Sequence, residues 1–235
     1  MFTKKYKYHS LPQNCILSKL KLVLGFITGF LLLFSCNTQS PIPKKDFQLI
    51  LPDTSMAGGR NWEYKMSLYL CNQLNISTLD KGVDSFEIRW WFPGYASFDE
   101  IFDIRYCIDY GWIANKTTFF RSRSNKNPAY RYIIDSSFSE QIHPTTDISK
   151  IVDTIKLLDI LHIPSQINIP NFKDRMTDGT YIIIEIATKD FYKLISYHCP
   201  DAYKNEPNNL LVLKINKYLS AQFGGPYLNS PASPN

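Results

Sequence analysis

A two-residue alternation of apolar and polar side chains is the feature that most constrains how this chain can fold. It runs through two neighbouring segments, residues 86–91 and 102–109, with Phe92-Pro93-Gly94 breaking the chain after the first. Successive residues of a β-strand point to opposite faces of a sheet, so this alternation predicts half-buried strands. Further strands are predicted at residues 112–121, 130–134, 181–187 and 191–197, with a short one within 46–51.

Three other segments have the 3.6-residue apolar period of an amphipathic helix. The first follows Asn61, which can cap it, and the second begins at 144–147 and is ended by Pro164. The third begins at Pro207 and stops at Gly224. Strands joined by short turns, with helices outside the run, favour an α+β fold. We expect an antiparallel sheet of about five to seven strands packed with two or three helices.

The first 36 residues have the parts of an export signal. Five lysines precede an uncharged apolar run at 22–34, which is short of the roughly 20 residues of a membrane-spanning helix. Those five lysines account for the excess of the 26 basic residues over the 21 acidic ones. The rest of the chain is therefore near neutral, which removes the global argument for nucleic acid as a partner.

The residues Leu33-Phe34-Ser35-Cys36 resemble the lipobox of bacterial lipoproteins, although Phe34 is bulkier than the usual residue there. The resemblance implies cleavage before Cys36, a diacylglycerol thioether on its sulfur and an acyl chain on its new amino group. Several acyl chains hold a protein stably at a membrane, whereas one chain anchors it only marginally. The alternatives are an incidental cysteine in an ordinary signal peptide and an uncleaved short anchor.

The expected organisation has four parts, because the composition changes sharply at Cys36 and again near residue 60. The chain would comprise a signal peptide at 1–35, a lipidated cysteine with a flexible tether at 36–60, one α+β domain at 61–224 and a loose tail at 225–235.

Four stretches carry a resemblance beyond the signal. They are Phe86–Phe92, the strand containing Trp112, residues 178–185 and residues 197–200. Together they resemble uncharacterised small lipoproteins of the Bacteroidota, of the flavobacterial type. The resemblance implies a shared fold and an envelope location, but no activity. Surface-exposed lipoproteins of such bacteria carry an acidic cluster after the lipidated cysteine. Residues 37–40 lack one, which implies an outer-membrane protein that faces the periplasm.

Residues that could carry metal or nucleophilic chemistry are few. Cys71, Cys107 and Cys199 lack metal-ligand spacing, and one disulfide among them is possible in an oxidising compartment. His198 and Cys199 are adjacent, and on an extended segment they would point to opposite faces, so we interpret them as a strand end. His143 and His162 flank the middle helix at its two ends. No catalytic residue, metal ion or cofactor is predicted.

Two constellations leave a choice of interpretation. Glu87, Asp103 and Glu185 on predicted strands could share a face, as could Arg89 and Arg105. A carboxylate pair can support hydrolysis of glycosides, but cross-strand ion pairs on a solvated sheet face are the interpretation we favour.

The second constellation interleaves aromatic and basic residues at 119–126 and 130–132. This pattern can bind nucleic acid, phosphorylated headgroups or acidic glycans. In an exported protein, a solvated basic hairpin loop is the favoured interpretation.

The sequence therefore predicts a non-enzymatic binding or interaction module held at a membrane of the cell envelope. The alternative is a periplasmic hydrolase that acts on envelope material through a carboxylate pair. A lipoprotein that confers immunity by blocking an incoming toxin is a special case of the first function. An interaction module should expose an apolar or aromatic patch, whereas a hydrolase should have a cleft with converging carboxylates and a raised pKa.

Overall fold

The structure is a computed structural model. It describes residues 46–52, 61–92, 98–123, 132–176 and 179–224. The predicted signal peptide, the predicted lipidation site Cys36 and the predicted tail at 225–235 lie outside the described residues.

Strands and helices follow one another much as the apolar periods predict. The strands are β1 (Gln48–Ile50), β2 (Phe86–Phe92), β3 (Phe98–Cys107), β4 (Gly111–Arg123), β5 (Tyr132–Gln141), β6 (Tyr181–Thr188) and β7 (Phe191–His198). The helices are α1 (Trp62–Leu74), α2 (Ile148–Leu157) and α3 (Pro207–Phe223), with short 3-10 turns at Gln166–Asn168 and Pro200–Tyr203.

The seven strands form one sheet in the order β1-β7-β6-β2-β3-β4-β5. Every neighbouring pair is antiparallel except β1 and β7, which run parallel. β2 is the middle strand of the seven. Its two neighbours, β3 and β6, pair with it along almost its whole length. The predicted α+β fold is confirmed, with a mixed rather than a purely antiparallel sheet.

Helices cover both faces of the sheet, and each face has its own apolar core. On one face, Ile88 and Trp90 of β2 belong to a buried cluster that includes residues of α2 and α3. On the other face, Trp91 of β2 belongs to a cluster with Met66 and Leu70 of α1. Successive side chains of β2 therefore point into two different apolar cores, one on each face of the sheet.

Local signals explain most element boundaries. The Asp147 side chain accepts a hydrogen bond from the Ser149 N–H at 2.8 Å and caps α2. Pro207 opens α3, and Gly224 ends it with φ 68°. Asn61 occupies the cap position of α1, but its left-handed backbone (φ 60°) leaves the helix without a side-chain cap bond.

Two elements differ in length from the prediction. α2 ends at Leu157, well before Pro164, because Asp159 turns the chain with φ 59°. β5 continues from the predicted 130–134 segment to Gln141, since it pairs along β4 as far as Asn115. Among the described residues no helix is long and apolar enough to span a membrane.

Candidate functional site

The three carboxylates singled out in the sequence do lie on one face of the sheet. Glu87 and Arg105 are cross-strand partners, as are Arg89 and Asp103, and Arg89 also lies opposite Glu185. This shared face is the one that α1 covers. Glu87 and Glu185 are only 4% and 1% exposed, so the predicted solvated sheet face is wrong.

Arg89 is the centre of this buried charge cluster. One guanidinium nitrogen lies 2.7 Å from Glu87 Oε1, and the other donates to the Ser77 carbonyl at 3.0 Å and lies 3.9 Å from Glu185 Oε2. Glu185 also accepts hydrogen bonds from Trp91 Nε1 and the Tyr192 hydroxyl, both at 2.6 Å. Of the predicted cross-strand ion pairs, Arg89–Glu185 is present at 3.9 Å, whereas the shorter pair, Arg89–Glu87, lies within β2. Both pairs are inside the protein.

The protonation of the cluster follows from its burial. Burial and the neighbouring Asp103 carboxylate raise the pKa of Glu87 well above its usual range, and they outweigh the attraction of Arg89. The cluster therefore links β2, β3 and β6 beneath α1. It does not open as a cleft of converging carboxylates.

A second polar cluster surrounds His198 at the far end of β7. Its Nδ1 lies 2.6 Å from Asp174 Oδ2, and the Tyr203 hydroxyl donates to the other oxygen of Asp174 at 2.6 Å. The Tyr181 ring stacks on the imidazole with centroids 4.4 Å apart. Although burial raises the pKa of Asp174, hydrogen bonds from Tyr203 and His198 hold it below its usual range. Asp174 thus orients the imidazole as an ionised acceptor.

The geometry at Cys199 corrects the prediction that its side chain and that of His198 point apart. Cys199 has a left-handed backbone (φ 44°), so the extended segment ends at His198. A Cβ added to Gly179 would lie 1.6 Å from Cys199 Sγ and 3.2 Å from His198 Nε2. Both side chains therefore lie close to Gly179, on the same side of the backbone. Burial raises the pKa of Cys199, so the thiol is a weak nucleophile at neutral pH. The interpretation of a strand end is confirmed.

A small cavity adjoins this cluster. It is lined by Pro52, Glu63, Gln166, Ile167, Tyr181, Ser196 and His198. Its volume of about 10 Å³ suits one water molecule. Glu63 is 4% exposed, and burial raises its pKa. Its Oε2 has no hydrogen-bond partner in the described part of the chain. The cavity is therefore far smaller than the volume that an organic substrate needs.

The remaining candidates are separate from one another. Cys71, Cys107 and Cys199 are buried thiols that are not joined in a disulfide. His143 and His162 are exposed. Within the described ranges no group of three or more His, Cys, Asp or Glu side chains could hold a metal ion.

In the described part of the basic hairpin, aromatic and basic side chains contact other residues of the protein. Phe119 is in the core, and Arg121 lies 2.6 Å from Asp99 and 4.4 Å from the centroid of the Tyr132 ring. These contacts leave Phe119 and Arg121 poorly placed to stack on a nucleobase. The rest of the basic loop, residues 124–131, lies outside the described residues.

One edge of the sheet is closed by side chains. β1 covers only the first residues of β7. Beyond it, the Gln166 amide accepts from the His198 N–H at 2.9 Å and donates to the His198 carbonyl at 3.0 Å. Ser165 Oγ likewise accepts from the Ser196 N–H and donates to the Leu194 carbonyl. Neither Ser165 nor Gln166 carries a sequence signal for this role, because the bonds join residues about 30 positions apart.

The other edge is open over most of its length. Tyr69 and Gln73 of α1 hydrogen-bond the backbone of β5 at Tyr132 and Ile134. All seven residues at 135–141 are exposed, and among the described residues no strand lies beyond them. The strand contains no lysine, arginine or proline, although lysine and proline commonly blunt sheet edges. This segment, Asp135–Gln141, is called the open edge below.

The architecture defines the class: an α+β protein with a seven-stranded mixed sheet between helices on both faces. Comparison with known protein families, with curated proteins and with solved structures found no match.

Proposed function

We propose that this chain is a lipid-anchored protein of the bacterial envelope that binds an extended segment of a partner polypeptide along its open edge. The observation that carries the partner-binding role is the contrast between the two edges of the sheet. Side chains hydrogen-bond the backbone of β7 at one edge, whereas residues 135–141 are exposed at the other edge and no described strand pairs with their outer side. An exposed strand edge takes an additional strand through main-chain hydrogen bonds.

Side chains along the open edge fit this role. Phe138 is 54% exposed and supplies an apolar anchor at the middle of the segment. Asp135 and Glu140 lie on either side of it, which suits a partner segment that is neutral or basic. The partner is an envelope protein, and an incoming toxin is one case of such a partner.

The support for a lipid anchor at Cys36 comes from the sequence. Leu33-Phe34-Ser35-Cys36 follows an apolar run and precedes a polar stretch, the arrangement that directs lipidation of Cys36. The absence of acidic residues at 37–40 favours the periplasmic face of the outer membrane. The hydrolase alternative is less well supported, since Glu87 and Glu185 are buried and cannot reach a polymer outside the protein.

Two measurements test the proposal. Metabolic labelling with a fatty acid should mark the wild-type chain and not Cys36→Ala, which should accumulate as the uncut precursor. Labelling that persists in Cys36→Ala would refute lipidation at this residue.

For partner binding, a photoreactive residue in place of Phe138 should capture one envelope protein in its own cells. The same residue in place of Leu210, which is 49% exposed on α3, is the matched control. Phe138→Lys should abolish capture in a pull-down, whereas Leu210→Lys should not. Capture that is equal at both positions, or that survives Phe138→Lys, would contradict binding along the open edge.

A further inference from the structure

The start of β1 and the turn between β3 and β4 lie at the same end of the sheet. The strand register shows this directly. Gln48 lies opposite Phe191, Phe86 lies opposite both Thr188 and Tyr106, and Tyr106 lies opposite Trp112. The chain that leads from Cys36 therefore joins the sheet at the end where the β3–β4 turn projects. This end is called the entry end below.

Several apolar side chains are exposed at the entry end. Ile108 and Tyr110 in the β3–β4 turn are 76% and 54% exposed, and Tyr106 beside them is 41% exposed. Leu157, the last residue of α2, is 86% exposed. Lys156 Nζ lies 5.2 Å from the centroid of the Phe86 ring, so the end of α2 adjoins the same strands. These four exposed residues near the entry end, Tyr106, Ile108, Tyr110 and Leu157, are called the rim.

The rim has a rigid base. Trp112 makes edge-to-face contacts with Tyr106 and Phe86 at centroid distances of 5.2 and 6.0 Å. Gly111 has φ 70° and closes the turn in the left-handed conformation that a three-residue hairpin loop requires. The turn thus holds Ile108 and Tyr110 in a fixed position, which lowers the entropy cost of ordering these side chains when they bind another surface.

We propose that the entry end lies against the lipid surface that holds the acyl chains of Cys36, with Ile108, Tyr110 and Leu157 at headgroup depth. Tyrosine and tryptophan favour membrane interfaces, where the ring is buried and its polar atom stays wet. Asp109 lies between Ile108 and Tyr110 in the turn, so the contact is shallow. Lys156, whose ammonium group lies over the Phe86 ring at this end of the sheet, is a basic residue that suits anionic headgroups. This inference rests on the lipid anchor of the proposed function.

The length of the connecting chain permits this contact. Eleven residues separate Cys36 from Gln48, and at about 3.5 Å per residue they span at most about 40 Å. The β3–β4 turn is four to five strand positions from β1, or about 19 to 24 Å at the usual spacing. The turn can therefore reach the bilayer in which Cys36 is anchored. In that orientation the cluster around His198, at the other end of β7, faces away from the lipid.

The test uses the mature lipidated protein, which begins at Cys36, reconstituted into vesicles of phosphatidylethanolamine and phosphatidylglycerol. A benzophenone amino acid replaces Tyr110 in one variant and Phe138 in a matched control, and lipid adducts are counted by mass spectrometry after irradiation. We expect at least tenfold more lipid adduct at position 110 than at 138. Adding Ile108→Asp and Leu157→Asp should lower the adduct at 110 at least fivefold, whereas Leu210→Asp should not change it.

The possible results distinguish a lipid contact at the entry end from lipid anchoring at Cys36. If the chain floats with the vesicles but positions 110 and 138 give equal lipid adducts, the anchor stands and the lipid contact is refuted. A crosslink between two copies at position 110 in place of a lipid adduct would make the entry end a protein interface and also refute it. If the chain does not float with the vesicles at all, the anchor fails and this inference fails with it.

Discussion

The side-chain amide of Gln166 hydrogen-bonds both the N–H and the carbonyl of His198, as the backbone of a neighbouring strand would. The same amide donates to Asn209 Oδ1 at 3.1 Å and so connects the sheet edge to α3. Gln166 is 1% exposed, which means that water cannot easily replace these bonds. Gln166 therefore takes the place of a neighbouring strand at the His198 end of β7.

Gln166→Ala should destabilise the protein by about 2–4 kcal/mol, because it leaves two buried backbone groups of His198 without partners. The measurement is urea-induced unfolding followed by circular dichroism. Gln141→Ala, on exposed β5, is the matched control and should change the free energy of unfolding by less than about 0.5 kcal/mol. Equal losses in the two variants would show that the Gln166 bonds do not stabilise this edge.

Arg89→Ala should cost about 3–5 kcal/mol of stability, since it leaves buried acidic groups without their cation. Glu185 and Glu87 are both within salt-bridge distance of Arg89. Arg123→Ala removes an arginine from an exposed position on β4 and serves as the control in the same denaturation experiment. A loss below about 1 kcal/mol for Arg89→Ala would mean that the cluster contributes little to stability.

Glu63→Gln should become more stable relative to the wild type as the pH rises. Burial raises the pKa of Glu63 above 4.5, so the folded protein binds this proton more tightly than the unfolded chain. The wild type therefore loses stability as the pH rises from about 4.5 through the folded pKa, whereas the glutamine variant does not. Urea titrations at several pH values measure the difference.

The same titrations of Gln141→Ala provide the baseline, since that change removes no titratable group. Its difference from the wild type should not vary with pH. A Glu63→Gln difference that is equally flat would contradict the raised pKa.

Gly179→Ala should destabilise the protein by about 1–3 kcal/mol, because the new methyl group would overlap Cys199 Sγ. The cost should be smaller in a Cys199→Ala background, where the sulfur is gone and the nearest atom of residue 199 would be its Cβ at 3.4 Å. A double-mutant cycle on the free energy of unfolding measures this coupling.

Gly224→Ala is the control for the glycine substitution. Its position is open, with no atom within 4 Å of an added Cβ, and only the backbone angle resists the change. Its cost should be the same with and without Cys199. If Gly179→Ala behaved in the same way, the close approach of Cys199 would not be its cause.

The elements themselves could be predicted from local pattern. The alternation in β2 and β3 and the helix signals at Pro207 and Gly224 depend only on neighbouring residues, and the structure confirms them. The length of β5 could not be predicted in this way. Its second half, Ser136–Gln141, lacks a regular apolar alternation, and it is a strand because β4 offers it a partner.

The candidate site was harder to predict than the fold. The alternation allows Glu87, Asp103 and Glu185 to share a face, and the structure places them on one. That face was expected to be wet, because charged residues usually lie at the surface. Trp91, on the same side of β2, is a large apolar residue whose burial needs such a cover.

By itself, the sequence determined where strands and helices form and which residues share a face, because both follow from periods of 2.0 and 3.6 residues along the chain. Only the tertiary structure decided that α1 buries the charged face, that Gln166 closes one edge and that β5 leaves the other open. These outcomes depend on contacts between residues far apart in the chain, and a periodic pattern carries no information about which distant segment will cover a given face or edge.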